Sequence, residues 1–173
     1  MRRNVYGNNI GDNPVIFETV TLRPHWFQFA INEFMWIAVW AASFIIGLWT
    51  EFEYHEYLGY VWLLTTFYLV FKMLYLARIE YVVTTDQLIF LSGVVSHTTD
   101  YVELYRVIDY KQHQSAIQQI VGLKTVTIFS GDMNNPKAEL IGIKESEDIV
   151  SVIRSRVEYN KQIKGVYEIT NRI

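Results

Sequence analysis

Two stretches of this chain have no polar face. From Trp26 to Thr50, 19 of 25 residues are hydrophobic, and from Tyr57 to Ala77, 17 of 21. A helix rises about 1.5 Å per residue, so roughly 20 residues cross a ~30 Å hydrocarbon layer. Both stretches meet that length, and each predicts a continuous membrane-spanning helix. Trp26, Trp49, Tyr57 and Tyr60 lie near the expected ends, where amphipathic rings suit the headgroup region. Two buried helices in a soluble core are the competing reading, but such helices rarely run that far without a polar stripe. A cleaved signal peptide also fits poorly, because the preceding polar stretch is long and a second apolar stretch follows at once.

The polar residues around these stretches set an expected topology. The connector Glu51-Phe-Glu-Tyr-His-Glu56 carries three carboxylates and no Lys or Arg. Arg2, Arg3 and Arg23 precede the first stretch and Arg78 follows the second. Lys and Arg near span ends mark the cytoplasmic side. The expectation is a two-pass hairpin in the cell membrane with both termini cytoplasmic. Arg23, His25, Trp26, Trp49 and Arg78 are its expected interface anchors. For Arg23 and His25, contact with anionic headgroups is the functional reading and a simple anchor the plainer one.

Within the two stretches the only full charges are Glu33 and Lys72. In an antiparallel hairpin both fall roughly 10 Å in from the cytoplasmic end at ~1.5 Å per residue. A lone charge in hydrocarbon costs about 2.5–3.5 kcal/mol or more. A Glu33–Lys72 ion pair is therefore expected, with Asn32 beside it. It acts either as a clamp between helices or as part of a proton or ion relay; separate snorkelling of the two side chains is the remaining alternative.

After Arg78 the period changes. Residues 79–84 and 87–91 read as a strand pair around Thr85-Asp-Gln, with further strands at 94–104, 106–113, 125–130 and 138–143. Residues 115–122 read as a short turn or helix. The period then becomes 3.6. Ser146 is the expected N-cap, with Glu147 and Asp148 in the first turn. Ile149, Val150, Val152, Ile153 and Val157 form one face, with Arg154, Arg156, Glu158 and Lys161 opposite. Upstream, residues 15–22 have strand propensity and lead into Arg23-Pro24-His25-Trp26. The expected organisation is an N-terminal arm (1–25), the hairpin (26–78), a strand-rich cytoplasmic domain (79–162) and a tail (163–173).

Composition narrows the functional classes. The chain has no Cys, so it has no disulfide framework, thiolate nucleophile or thiolate metal site. Its net charge is -3, which gives no argument for nucleic acid. The four histidines lie far apart, and no spacing suggests a metal site or other cofactor. The connector residues Glu51, Glu53, His55 and Glu56 read either as a cation site or as an acidic solvated turn. No nucleophile motif or Gly-rich phosphate loop is present, so no enzyme is expected. Arg106 and Asp109 lie on opposite faces of a strand. They mark a possible interaction surface rather than a dyad, with Arg106 expected to meet a carboxylate across the sheet or to lie at a membrane-facing rim.

In order and spacing, these segments resemble a known family. The Arg23-Pro24-His25-Trp26 entry, the two close spans, Tyr81-Val-Val-Thr-Thr-Asp-Gln-Leu-Ile-Phe-Leu91 ending at Gly93, Tyr101-Val-Glu-Leu-Tyr-Arg-Val-Ile-Asp109 and the last helix resemble YdbS-like bacterial membrane proteins with a pleckstrin-homology-like (PH-like) domain. The resemblance runs from about residue 15 to 160. It implies a membrane α-helical hairpin plus an α+β domain. That domain is a PH-like antiparallel β-sandwich or partly open barrel, capped by a C-terminal helix. The resemblance implies seven strands, one more than the six read after Arg78, and a break within the long stretch 94–104 is the expected source of the seventh. It implies no defined activity, since fold alone does not set function. Phosphoinositide binding in the usual mode is disfavoured, because residues 79–91 contain no Lys or Arg. The expected partners are the lipid bilayer and a protein, either another PH-like membrane protein or a second copy. A component of a transport or envelope-stress system, working through the hairpin, is the alternative.

Overall fold

Among the described residues seven strands form two antiparallel sheets. Strands β1 (Val20–Leu22), β2 (Glu80–Val83), β3 (Gln87–Ser92) and β4 (Thr98–Glu103) lie in that order in the first. Strands β5 (Val107–His113), β6 (Leu123–Ser130) and β7 (Lys137–Lys144) make the second. Helices α1 (Phe27–Asn32), α2 (Phe34–Gly47) and α3 (His55–Ala77) run between β1 and β2. Helix α4 (Ala116–Ile120) joins β5 to β6, and α5 (Ile149–Lys164) follows β7. This computed structural model describes residues 17–48, 53–133 and 135–165. The expected anchor Trp49, part of the connector and most of the tail lie outside them.

The sheets follow from a period of two. In β2, Tyr81 and Val83 are buried while Glu80 and Val82 are only partly so. The central strand β6 buries Leu123, Val126 and Ile128. These side chains join Leu88, Val102, Leu104, Leu140 and Ile143 in one core between the sheets. Helix α5 closes it with Ile149, Ile153 and Val157, an i, i+4, i+8 stripe.

The seventh strand comes from the N-terminal arm. Leu22 pairs with Tyr81 and Val20 with Val83, so the helical hairpin is spliced into the turn between β1 and β2. The arm thus supplies a sheet edge, and Pro24 stops the ladder two residues later because it has no N–H to donate.

Four expectations need correction. The expected continuous first helix bends at Glu33, whose φ of -106° and ψ of 17° leave the helical region. Among the described residues one helix, α3, is long and apolar enough to cross a membrane, while α2 is a shorter apolar helix of 14 residues. The expected strand 94–104 starts later, at Thr98, and Leu104–Arg106 turns as a 3-10 helix, so Arg106 is not in a strand. The N-cap of α5 is Asp148, whose carboxylate accepts from the Ser151 N–H at 3.3 Å, not Ser146. Finally, Arg156 is buried with the apolar stripe rather than opposite it. It falls seven residues after Ile149, nearly two full turns, which returns it to the same face.

Candidate functional site at the base of the hairpin

Helices α2 and α3 pack antiparallel. Trp40 Nε1 donates to Thr66 Oγ1 at 2.8 Å, and a Cβ on Gly47 would meet the Leu58 Cβ at 3.7 Å. Ser43 is buried and Ala41 half-buried, whereas Ala38 and Ala42 are exposed. The outer surface is overwhelmingly apolar: in the most apolar window of α3 only 11% is buried.

At the bend, Glu33 is buried against α3. Tyr68 donates to Glu33 Oε2 at 3.0 Å, and Lys72 Nζ lies 3.7 Å from Glu33 Oε1. Lys72 Nζ also stands 5.6 Å from the Tyr68 ring centre. Sequence reasoning paired Glu33 with Lys72 by depth but missed Tyr68. The available signal was the i, i+4 spacing of Tyr68 and Lys72, which puts both on one face of α3. Asn32 does not join this group; its Oδ1 accepts from Gln28 Nε2 at 2.8 Å.

Helix α1 is tied to the sheets. The His25 N–H donates to the Gly142 carbonyl at 2.9 Å. Buried Gln118 donates through Nε2 to Gln28 Oε1 and to Thr125 Oγ1, both at 3.0 Å. Ser115 and Gln118 form a reciprocal capping box on α4, which fixes the Gln118 side chain. Gly142 has φ of 66°, and a Cβ there would sit 2.8 Å from the Gln28 Cβ. Only glycine allows this crossing.

Both ends of the hairpin meet at β3 and β4. A cleft of about 370 Å³ is lined by Arg23, Arg78, Glu80, His97, Thr98 and Thr99. Arg23 Nη2 lies 3.3 Å from Glu80 Oε2. Arg78, the C-cap of α3, has no ion-pair partner among the described residues. Gly93 (φ 114°) lets the β3–β4 loop fold back; a Cβ there would fall 1.8 Å from the Ser96 carbonyl oxygen. That reversal brings His97 and Thr98 to the cleft. At the start of α1 the Phe27 ring stacks on both His25 and Trp26, with ring centres 5.6 and 3.9 Å apart, and the Phe27 N–H donates to His25 Nδ1 at 3.3 Å.

The bacterial PH domain family matches residues 27–157, which is 131 of the 173. The chain belongs to this family. The match spans the hairpin as well as both sheets, and the structure adds β1 to the PH domain from outside it. No curated protein and no solved structure matches the chain.

Elsewhere in the PH domain, three buried or partly buried polar side chains tie elements of the fold together. Arg156, 3% exposed, donates through Nη1 to the Val83 and Thr84 carbonyls and through Nη2 to the Glu18 carbonyl. Burial holds its pKa below the usual guanidinium value. Asn160 donates to the Thr85 carbonyl at 2.7 Å. Together they pin the β2–β3 turn and the start of β1 to α5. The Tyr81 hydroxyl accepts from the Ile141 N–H at 3.1 Å, and burial pushes its pKa up to about 12.

The possible interaction surface holds no dyad. Arg106 Nη1 meets Asp132 Oδ2 at 3.2 Å, from the β6–β7 loop, and its Nε donates to the Tyr105 hydroxyl at 2.9 Å. The hydrogen bond to the Tyr105 hydroxyl, with the Asp132 and Glu103 carboxylates nearby, raises the Arg106 pKa. Asp109 instead accepts from the Tyr110 N–H at 2.7 Å. Among the described residues no group of three or more His, Cys, Asp or Glu side chains is placed to hold a metal ion.

Proposed function

We propose that this chain is a membrane-anchored interaction module of the YdbS-like kind, with its PH domain held at the cytoplasmic face. One observation carries this reading: an exposed, apolar helical hairpin is spliced into the β1–β2 turn of a PH domain. A core helix of a soluble protein would be mostly buried, whereas α3 is almost bare. Bilayer lipid is the cover that such a surface requires. The length of α3, 23 residues at ~1.5 Å each, matches a ~30 Å hydrocarbon layer.

The module acts by binding a protein, either another PH-like membrane protein or a second copy. The edge of β4 and the exposed side chains of Arg106 and Asp109 are the surfaces we assign to it. The test is crosslinking from native membranes. The full chain is compared with a variant in which residues 24–78 are replaced by a tight turn, since Leu22 and Tyr81 are already ladder neighbours. A fragment that simply began at Ile79 would lack β1. A specific partner kept by the excised variant supports the PH domain as the binding element. The second reading, a component of a transport or envelope-stress system, is favoured by Ala38 and Ala42. These small residues point out of the hairpin, where a further helix can approach closely. Loss of every partner on excision supports that reading instead.

A further inference from the structure

We infer that the cleft at the base of the hairpin binds one anionic glycerophospholipid, with its phosphodiester between Arg23 and Arg78 and one acyl chain in the apolar cavity next door. The inference rests on the membrane-anchored reading and names the lipid that the anchor selects.

Arg23 ends β1 and Arg78 caps α3, 55 positions apart in sequence. They meet because an antiparallel hairpin returns its second end to its first. Guanidinium groups present planar forks of N–H donors that match phosphate oxygens. Ser92, Thr98 and Thr99 also line the cleft; Thr99 shares a sheet face with Glu80 through the register Glu80–Leu91–Thr99, and its hydroxyl adds a neutral donor. Charge sets the class of anion. Glu80 offsets Arg23 at 3.3 Å, which among the described residues leaves Arg78 as the surplus cation. A surplus of one suits the single charge of a phosphodiester. A polyphosphorylated headgroup would bring several charges against Glu80.

The second observation is independent of charge. An apolar cavity of about 240 Å³ adjoins the cleft and shares Arg23 and Ala77 as walls. Pro24, Trp26, Phe29, Met73 and Leu76 complete it. It lies between the first turn of α1 and the last turns of α3, on the hairpin side of the cleft. A free phosphate or glycerol phosphate would leave this cavity unfilled. A lipid fills both, with its polar end toward the PH domain and its chain along the hairpin. Glu80 is then free to accept a hydrogen bond from a headgroup hydroxyl, which phosphatidylglycerol has and phosphatidylcholine lacks.

The test is native mass spectrometry of the full chain released from mild detergent after incubation with phosphatidylglycerol, phosphatidylcholine or glycerol phosphate. The expected result is one retained phosphatidylglycerol per chain, at least about tenfold favoured over phosphatidylcholine, which is ~1.4 kcal/mol. Glycerol phosphate neither binds nor competes. The paired variant Arg23→Gln with Arg78→Gln lowers retention by about tenfold or more. Both side chains are exposed, so the fold survives, as far-UV circular dichroism will report. Met73→Trp fills the cavity and lowers retention while leaving both arginines in place. Equal retention of the two lipids, or full retention by the arginine pair, overturns the inference. If the chain fractionates with membranes yet holds no lipid selectively, the lipid site alone is wrong. If the chain is not in the membrane fraction at all, the anchored reading fails and this inference falls with it.

Discussion

Replacing Arg156 by leucine tests how the PH domain holds its discontinuous strand. The guanidinium donates to three carbonyls, one each on Val83, Thr84 and Glu18, and among the described residues no carboxylate neutralises it. A hydrogen bond to a charged group is worth about 1.5–3 kcal/mol net, so three are worth roughly 4–9 kcal/mol. Against this stand the apolar packing that leucine itself supplies and the non-additivity of bonds made by one guanidinium, which together offset several kcal/mol. The difference predicts that Arg156→Leu destabilises the domain by about 2–4 kcal/mol. Arg156→Lys falls between, because an ammonium is a point charge and does not fork to three acceptors. The assay is denaturant unfolding in micelles followed by far-UV circular dichroism. Tryptophan fluorescence would miss the domain, since all five Trp residues lie between 26 and 62. Hydrogen exchange at Val20 and Leu22 should quicken in parallel, as β1 loses its tie to α5. A loss below about 1 kcal/mol, or a lysine variant equal to the parent, would refute the reasoning.

Three further outcomes follow from the same contacts. Gly142→Ala places a Cβ at φ 66° and 2.8 Å from the Gln28 side chain, so it should loosen α1 from β7 and cost more than about 1 kcal/mol of stability, read by exchange at α1 amides. Tyr81 keeps its proton to about pH 12 when folded and to about 10 when unfolded, so the unfolded chain releases it first. Stability should therefore fall from pH 10 to 12 at up to ~1.4 kcal/mol per pH unit, and Tyr81→Phe should flatten that slope in urea unfolding. Lys72→Met strands the Glu33 carboxylate with Tyr68 alone. It should weaken the hairpin more than Lys72→Met combined with Glu33→Gln, as measured by unfolding in mixed micelles.

Period and length carried much of the fold. The strand pair at 79–91, the later strands and α5 were legible because each alternates or repeats on one face. What escaped detection depended on distant partners. Residues 15–22 show strand propensity, but that Val20–Leu22 forms the edge of the first sheet is not legible until β2 lies beside it. Arg156 reads as a surface charge until its helical phase is referred to Ile149. The bend at Glu33 has no local breaker; it arises where α1 is drawn onto Gly142 and Gln118 while α2 follows α3. The base cleft was invisible for the same reason, since its two arginines flank a 54-residue insertion. The anchors Arg23 and Arg78 were picked out separately, but nothing in the sequence joined them.

The central claim is that the hairpin crosses the membrane and leaves the PH domain on the cytoplasmic side. The chain has no native cysteine, so single cysteines report their own location without background. Glu53→Cys lies in the exposed connector and Ser146→Cys in the exposed turn before α5. With a membrane-impermeant maleimide on intact cells, the account predicts labelling at position 53 and none at 146 until the membrane is opened. Labelling of both positions, or of 146 alone, in intact cells would contradict it.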